Sequence, residues 1–410
     1  MTCLRLSTLR IGVLLISLSL VTVILQGEEP DLTSGDFKIK LPLGVPWEIW
    51  SYFIPRDNAM TAAKVRLGRE LFFDKRLSAD GSISCATCHD PALAFTDGKS
   101  VAVGVHGRRG IRNSPSLLNV MFHSGQFLDG RATTLEAQAK IPLISANEMD
   151  NASHDQLVAR LRAIPEYDQQ CQQVFGGPVT IEYISKAIAA FERTLLSGNS
   201  PYDRFAAGDS HALAEAAKRG LALFRGKGRC SGCHLINEPF QFFTDRTYRN
   251  TGVSARNPAF ETLARRAREL VRLPDPSALN LLASREGASE LGRFLITGNS
   301  LDIGAFKIPS LRDVELTAPY FHDGSAQTLA DVVRFYAGGG ADSPNRDWEL
   351  QGIVLTEPEQ ADVVEFLKSL TSDDTRRSAG TDSHTVTEKV APTSRDYSRT
   401  FTAQTQRTQR

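Results

Sequence analysis

Apolar residues along this chain recur at helical rather than strand spacing. From Ile181 to Leu196 they fall at i, i+3, i+4 and i+7, which predicts an amphipathic helix. Shorter helical stretches run from Val65 to Phe73 and from Leu213 to Phe224, each with Leu-Phe near its end. Few segments alternate apolar and polar residues as strands do, and glycine and proline punctuate the remainder. The pattern therefore predicts a mostly α-helical protein. The two ends stand apart. Arg5 and Arg10 precede an apolar run from Ile11 to Leu25 with no acidic residue, so 1–27 reads as an export signal peptide, with an uncleaved N-terminal anchor as the alternative. Residues 28–57 read as a leader: Asp31 to Lys40, then irregular chain containing Pro and Trp up to about Arg56. From Thr371 to Arg410 the chain is rich in Ser, Thr, Asp, Arg and Gln and nearly free of large apolar residues, and reads as a disordered tail.

Length and charge narrow the class. The chain has 410 residues, too many for one compact core and about right for two domains plus ends. Lys+Arg and Asp+Glu are both 47, and loss of the two arginines of the export segment leaves a mature charge of −2. A nucleic-acid partner would call for a basic excess, so none is expected. No apolar run reaches the ~20 residues of a spanning helix, which excludes a polytopic membrane protein. Six cysteines are too few for a disulfide scaffold, and four of them carry a motif. Cys85-Ala86-Thr87-Cys88-His89 and Cys230-Ser231-Gly232-Cys233-His234 are both C-x-x-C-H. At this spacing two thiols add across the two vinyl groups of haem, and the following histidine reaches the iron from one face. A zinc site would need further Cys or His ligands at matched spacings, and only Cys3 and Cys171 remain. A thioredoxin-like pair has no use for the histidine. Two covalently bound haem c groups are expected, with His89 and His234 as iron ligands; Cys171 reads as a small buried hydrophobe.

The chain also repeats itself. Arg112-Asn113-Ser114-Pro115-Ser116-Leu117 returns as Phe306-Lys307-Ile308-Pro309-Ser310-Leu311, and the run Phe127 to Leu135 returns as Phe321 to Leu329. The offset is 194 residues in both cases, and each copy lies downstream of one C-x-x-C-H. The expected architecture is two cytochrome c-like domains with one haem each, 58–205 and 206–370, arising from an internal duplication.

Several runs carry a resemblance: Leu-Phe-Phe-Asp at 71–74, Asp80 to Cys85, Gly110-Ile111-Arg112-Asn113, Asp129-Gly130-Arg131, Phe191-Glu192-Arg193-Thr194-Leu195, and Leu316 to Gly324. Over about Ala59 to Leu370 the chain resembles the bacterial di-haem cytochrome c peroxidase / MauG family. The resemblance implies a periplasmic oxidoreductase in which one haem binds hydrogen peroxide and the other relays electrons. It implies that the second haem takes a distal ligand from the helix after the His-Asp-Gly turn, a Met in the peroxidases and a Tyr in MauG-like proteins. The matching residue is Tyr336; the last of the four methionines is Met149, so no Met is available there. Tyr320 and His322 are competing candidates, and Tyr336 packing at a helix end is the plain alternative. The repeat places Pro142 opposite Tyr336; proline has no side-chain donor atom, so the first haem is the one left open. Around that face the family places a Gln and a Glu ten residues apart, here Gln138 and Glu148. A carboxylate there can carry a proton between the peroxide oxygens, and an amide can hold the peroxide. His106, between Gly104 and Gly107, matches a histidine that caps the first iron at rest in the peroxidases, against the alternative of an exposed loop histidine. Asn113, with the carbonyls of Thr317 and Pro319, matches a calcium site between the haems.

Two residues depart from the family pattern. Leu128 stands where an inter-haem Trp is usual, and Tyr336 points toward MauG while His106 points toward the peroxidases. The leading expectation is a peroxidase fed by a small c-type cytochrome or copper protein. The alternatives are a MauG-like enzyme that oxidises residues of a partner protein, and a non-catalytic electron carrier. Gln138, Glu148 and Pro142 argue against the carrier, which would cap both irons. The resemblance also implies a homodimer.

Overall fold

In a computed structural model the described residues are 37–236, 241–272, 281–283 and 285–379. They belong to one compact unit. The export segment 1–27 and most of the expected tail lie outside the described residues.

Two hydrophobic clusters dominate. The first draws on residues 37–195 plus Phe242, the second on residues 202–370. In the first, the Ala62–Phe73 helix crosses the Ile181–Glu192 helix, with the Leu135–Ile144 helix against the latter. In the second, the Glu215–Arg225 helix crosses the Glu357–Lys368 helix, with the Leu329–Ala337 helix beside it. Each crossing is made close by one glycine. A Cβ on Gly68 would collide with the Ala187 carbonyl oxygen, and one on Gly220 with that of Asp362. Caps fix the helix starts: the Thr61, Thr134, Thr180 and Thr328 hydroxyls accept from the backbone N–H of Lys64, Ala137, Tyr183 and Asp331. Strand is scarce among the described residues, as the spacing predicts; Tyr248–Arg249 pairs antiparallel with Phe306–Lys307.

The backbone repeats where the sequence does. The Gln126 N–H donates to the Ala132 carbonyl at 2.7 Å, and at offset 194 the Tyr320 N–H donates to the Ala326 carbonyl at 2.7 Å. Phe127 and Phe321 both take positive φ, 62° and 70°. Cys85 and Cys230 are only 145 apart, so the second half carries extra chain between its haem motif and its repeat. Part of that chain forms a third, smaller cluster, where the Phe260–Arg272 helix buries Phe260, Leu263, Ala264 and Ala267 against Leu291, Phe294 and Ile303.

Two segments are more ordered than the sequence implies. Within the expected leader, Trp47–Tyr52 is helical; Trp50 is fully buried, and its indole N–H donates to the Arg193 carbonyl at 3.3 Å. At the start of the expected tail, Asp373–Ser378 is a helix capped by Ser372, and Asp313 accepts from the Ser372 N–H at 3.0 Å. Each is only six residues long, too short to be stable alone, and is held by tertiary contacts that local sequence does not reveal.

Candidate active site between the two haem-attachment motifs

One cavity of about 660 Å³ is shared by both motifs, lined by Cys85, Cys88 and His89 from the first and by His234 from the second. The two histidines are held alike. His89 Nδ1–H donates to the Phe95 carbonyl at 3.1 Å, and His234 Nδ1–H to the Phe243 carbonyl at 2.8 Å. A carbonyl can only accept, so the proton sits on Nδ1 and the Nε2 lone pair is left for a metal. Burial lowers the pKa of both rings, which keeps them in the neutral, ligating form. The four motif cysteines are unpaired, and burial pushes their thiols up, Cys88 and Cys233 to about 11. Among the described residues no group of three or more His, Cys, Asp or Glu is arranged to hold a metal ion. Neutral thiols beside an oriented imidazole, opening on a cavity of this size, fit a covalently attached haem at each motif.

The Leu135–Ile144 helix brings Gln138 and Pro142 to the cavity wall, one turn apart on one face. Glu148 reaches the same cavity from the turn that follows, where its N–H donates to the Ser145 carbonyl at 3.0 Å. Burial raises the Glu148 carboxyl above the usual glutamate range, and the nearby Arg131 guanidinium pulls it back. Arg131 lies over the Phe127 ring at 3.5 Å and bonds Asp129 at 3.0 and 3.1 Å. Asp129 also takes Arg112 at 2.5 Å, so a buried carboxylate anchors the arginine that acts on Glu148. Glu192, on the Ile181–Glu192 helix, lines the cavity with one carboxyl oxygen unpartnered. Burial pushes it up to about 8.

On the other side Tyr336 lines the cavity from the Leu329–Ala337 helix. Burial lifts its phenol well above the usual range; Cys233 adds to the lift, while a hydrogen bond with Thr251 opposes it. The competing groups line the same cavity but hold hydrogen-bond partners of their own. The Tyr320 hydroxyl donates to the Val314 carbonyl at 3.0 Å. His322 Nε2 meets Glu290 at 2.8 Å, and its ring stacks on Phe306 at 3.8 Å and 7°.

His106 does not line the cavity. Its side chain is 55% exposed, with Asp80 at 3.6 Å and Asp150 at 4.0 Å, on a residue of φ 57°. Asn113, Thr317 and Pro319 all line the cavity. The Asn113 amide nitrogen donates to the Lys99 carbonyl at 2.7 Å, which leaves its oxygen for a cation. That donor set fits a hard ion such as calcium. Leu128 lines the cavity as well. Glu192, Lys307 and His123 were not legible as site residues: Glu192 sits in a run that carries the resemblance, but only burial reveals its chemistry.

The profile of the family described as di-haem cytochrome c peroxidase matches residues 62–211. The methylamine utilization protein MauG of Methylorubrum extorquens is 36% identical over 351 residues, 85% of this chain and 88% of that protein. The cytochrome-c peroxidase IdrP1 of Denitromonas iodatirespirans is 38% identical over 327 residues, 77% of this chain and 84% of that protein. Among solved structures, a MauG-like protein associated with microbial copper homeostasis superposes with a TM-score of 0.66 at 33% identity, covering 83% of this chain and 97% of its own. The di-haem peroxidase BthA of Burkholderia thailandensis superposes with a TM-score of 0.58 at 25% identity, over 76% and 86%. The chain belongs to the di-haem cytochrome c peroxidase family. It is a haem-containing oxidoreductase of the peroxidase type, with haem c as its cofactor.

Proposed function

We propose that the protein reduces hydrogen peroxide to water at the first motif, with electrons entering through the second from a small c-type cytochrome or copper protein. The observation that carries this reading is the wall of the cavity that His89 also lines, where Gln138, Pro142 and Glu148 come together. It offers an amide, a carboxyl and a residue without a donor atom, so it can bind and protonate a small ligand while leaving the iron's far side free. When bound, the haem supplies the metal centre that takes up peroxide and passes on electrons. The chain's own groups do the rest. The Gln138 amide holds peroxide by hydrogen bonds. Glu148 takes the proton from one peroxide oxygen and returns it to the other, so that water leaves as the O–O bond breaks. Two electrons and two protons complete the conversion to two waters. Arg131, fixed by Asp129, keeps Glu148 within reach of its charged form.

Tyr336 is read as the distal ligand of the second iron, supported by its place in the cavity and by the bonds of Tyr320 to Val314 and of His322 to Glu290. Asn113 and the carbonyls of Thr317 and Pro319 are read as a calcium site, and His106 as a mobile cap whose loop lies outside the cavity in this conformation. Residues 58–205 and 206–370 are read as two duplicated haem domains, and the protein as periplasmic. Among the described residues no helix is long and apolar enough to cross a membrane.

A MauG-like reaction on a partner protein is the second reading. It is favoured by Tyr336, whose hard phenolate oxygen stabilises oxidised iron over reduced iron. Adding peroxide to the purified protein with and without reduced cytochrome c, while following the haem spectrum, separates the readings. Rapid turnover of the donor is expected. A persistent spectral change without turnover would replace the peroxidase by the second reading, and no reaction at all would leave an electron carrier.

A further inference from the structure

The offset of 194 relates the junction of the two halves to itself. The Asn113 N–H donates to the His322 carbonyl at 2.8 Å, and the Lys307 N–H donates to the Leu128 carbonyl at 2.7 Å. These are the same bond in two copies, since 113 and 307, like 128 and 322, are 194 apart. The His123 N–H donates to Val120 and the Thr317 N–H to Val314, both at 3.3 Å, which extends the match. The residues read as a calcium site, Asn113, Thr317 and Pro319, therefore have copies at Lys307, His123 and Gly125.

The copies are brought together. Lys307 is 7% exposed, and its ammonium donates to the Gly125 carbonyl at 3.2 Å, the counterpart of the Pro319 carbonyl. No carboxylate lies within ion-pair distance of it among the described residues; Asp129 acts on it only at longer range. His123 is buried with its Nδ1 unpartnered, and burial, with Lys307 and Arg246 nearby, holds its ring well below the usual histidine range and so neutral. Lys307 and His123 both line the shared cavity.

We infer that the ε-ammonium of Lys307 is a built-in cation, standing in the twin of the calcium site where the first copy takes a metal ion. An Asn at this point leaves an oxygen for a metal; a Lys brings the charge on its own side chain. The junction then carries one exchangeable cation and one tethered to the chain, an ammonium whose pKa burial lowers to about 8 and Asp129 partly restores. A buried ammonium without a carboxylate partner is costly, so it calls for an anionic group in the cavity. The carboxylate side groups of haem have that chemistry. The inference rests on reading Asn113, Thr317 and Pro319 as a calcium site.

The test uses the full-length, haem-loaded protein equilibrated with calcium and then passed through metal-free buffer. Bound calcium is counted by mass spectrometry, and haem midpoint potentials are read by spectroelectrochemistry. The parent is expected to hold one calcium per chain. Lys307→Asn is expected to gain a second, because it restores an oxygen donor beside the Gly125 carbonyl. Lys307→Met is expected to stay at one and to shift a haem midpoint downward, because loss of a positive charge favours the oxidised iron. Lys307→Arg is expected to keep the parental potentials. Two calcium ions in the parent would overturn the inference without any variant. So would parental potentials in Lys307→Met together with a single calcium in Lys307→Asn. A parent with no calcium would remove the Asn113 reading, while the potentials of Lys307→Met would still decide whether its ammonium faces the haems.

Discussion

In the proposed reaction Glu148 is the residue on which the chemistry turns. It is partly buried, with its carboxyl raised by that burial and opposed by Arg131. A base must be ionised to take the first proton from peroxide, so the acid limb of the rate profile should lie above the ordinary glutamate value of 4.5. Glu148→Gln keeps size and polarity but cannot carry a proton. Its reaction with peroxide should fall by ~10²–10⁴, with that limb lost and haem loading unchanged. Stopped-flow mixing over a pH series measures both, and a parental rate would move the active site elsewhere. Glu192 makes a different statement. The folded protein holds its proton up to about 8, whereas the unfolded chain releases it near 4.5. The folded state then binds more protons between those values, so stability falls as pH rises through that window and levels above it. Glu192→Gln should remove this slope and raise Tm by several degrees at about pH 9 relative to the parent, with little change at about pH 4. Tyr336→Phe should change the spectrum of the second haem and spare the first. If neither spectrum moves, Tyr336 only packs at its helix end.

At the scale of elements, what the sequence makes legible is what chemistry or periodicity forces into fixed spacing. The Cys85–His89 and Cys230–His234 runs can be read because thioether attachment tolerates no other order. The Ile181–Glu192 helix can be read because its apolar face is continuous. The repeat around Asn113 and Lys307 can be read because the same turn geometry demands the same residues, down to the positive φ of Phe127 and Phe321. The Trp47–Tyr52 and Asp373–Ser378 helices cannot, since their order comes from partners far along the chain such as Arg193 and Asp313. Nor can Gly68 and Gly220, which local propensity treats as weak points. In an exposed helix Ala in place of Gly gains ~1 kcal/mol. Here the added Cβ meets a facing backbone carbonyl, so Gly68→Ala and Gly220→Ala should each lower stability, by ~1–3 kcal/mol, through forced separation of the crossing helices. Urea unfolding monitored by helical circular dichroism gives the sign. A gain in stability would mean that the helices can part at no cost.

At the scale of the whole molecule, the question is how the second haem's state reaches the first site. The shared cavity gives proximity, and the paired bonds from Asn113 to His322 and from Lys307 to Leu128 give a rigid seam between the halves. Neither supplies a gate; in the proposed reading the 104–107 loop does, with His106 as the cap of the first iron. His106 sits outside the cavity in the run Gly104-Val105-His106-Gly107, at a positive φ of 57°. The same loop is fastened to the catalytic turn: the Val105 N–H donates to the Glu148 carbonyl at 2.9 Å, and Gly104 lies so close to the Asn147 and Glu148 carbonyls that a Cβ would not fit. Arg108 adds bonds to the Ala146 carbonyl at 2.8 Å and to Asp150 at 2.6 Å. A swing that carries the imidazole toward the first iron must therefore drag the backbone that presents Glu148. With His106 as the proposed cap, capping and withdrawal of Glu148 would be one motion rather than two. His106→Gly should remove only the cap, so the oxidised enzyme should react with peroxide without prior reduction, and Glu148→Gln in the same background should abolish that gain. Parental behaviour of His106→Gly would mean that the first site is open at rest, and the protein would then stand nearer to MauG than to reductively activated peroxidases.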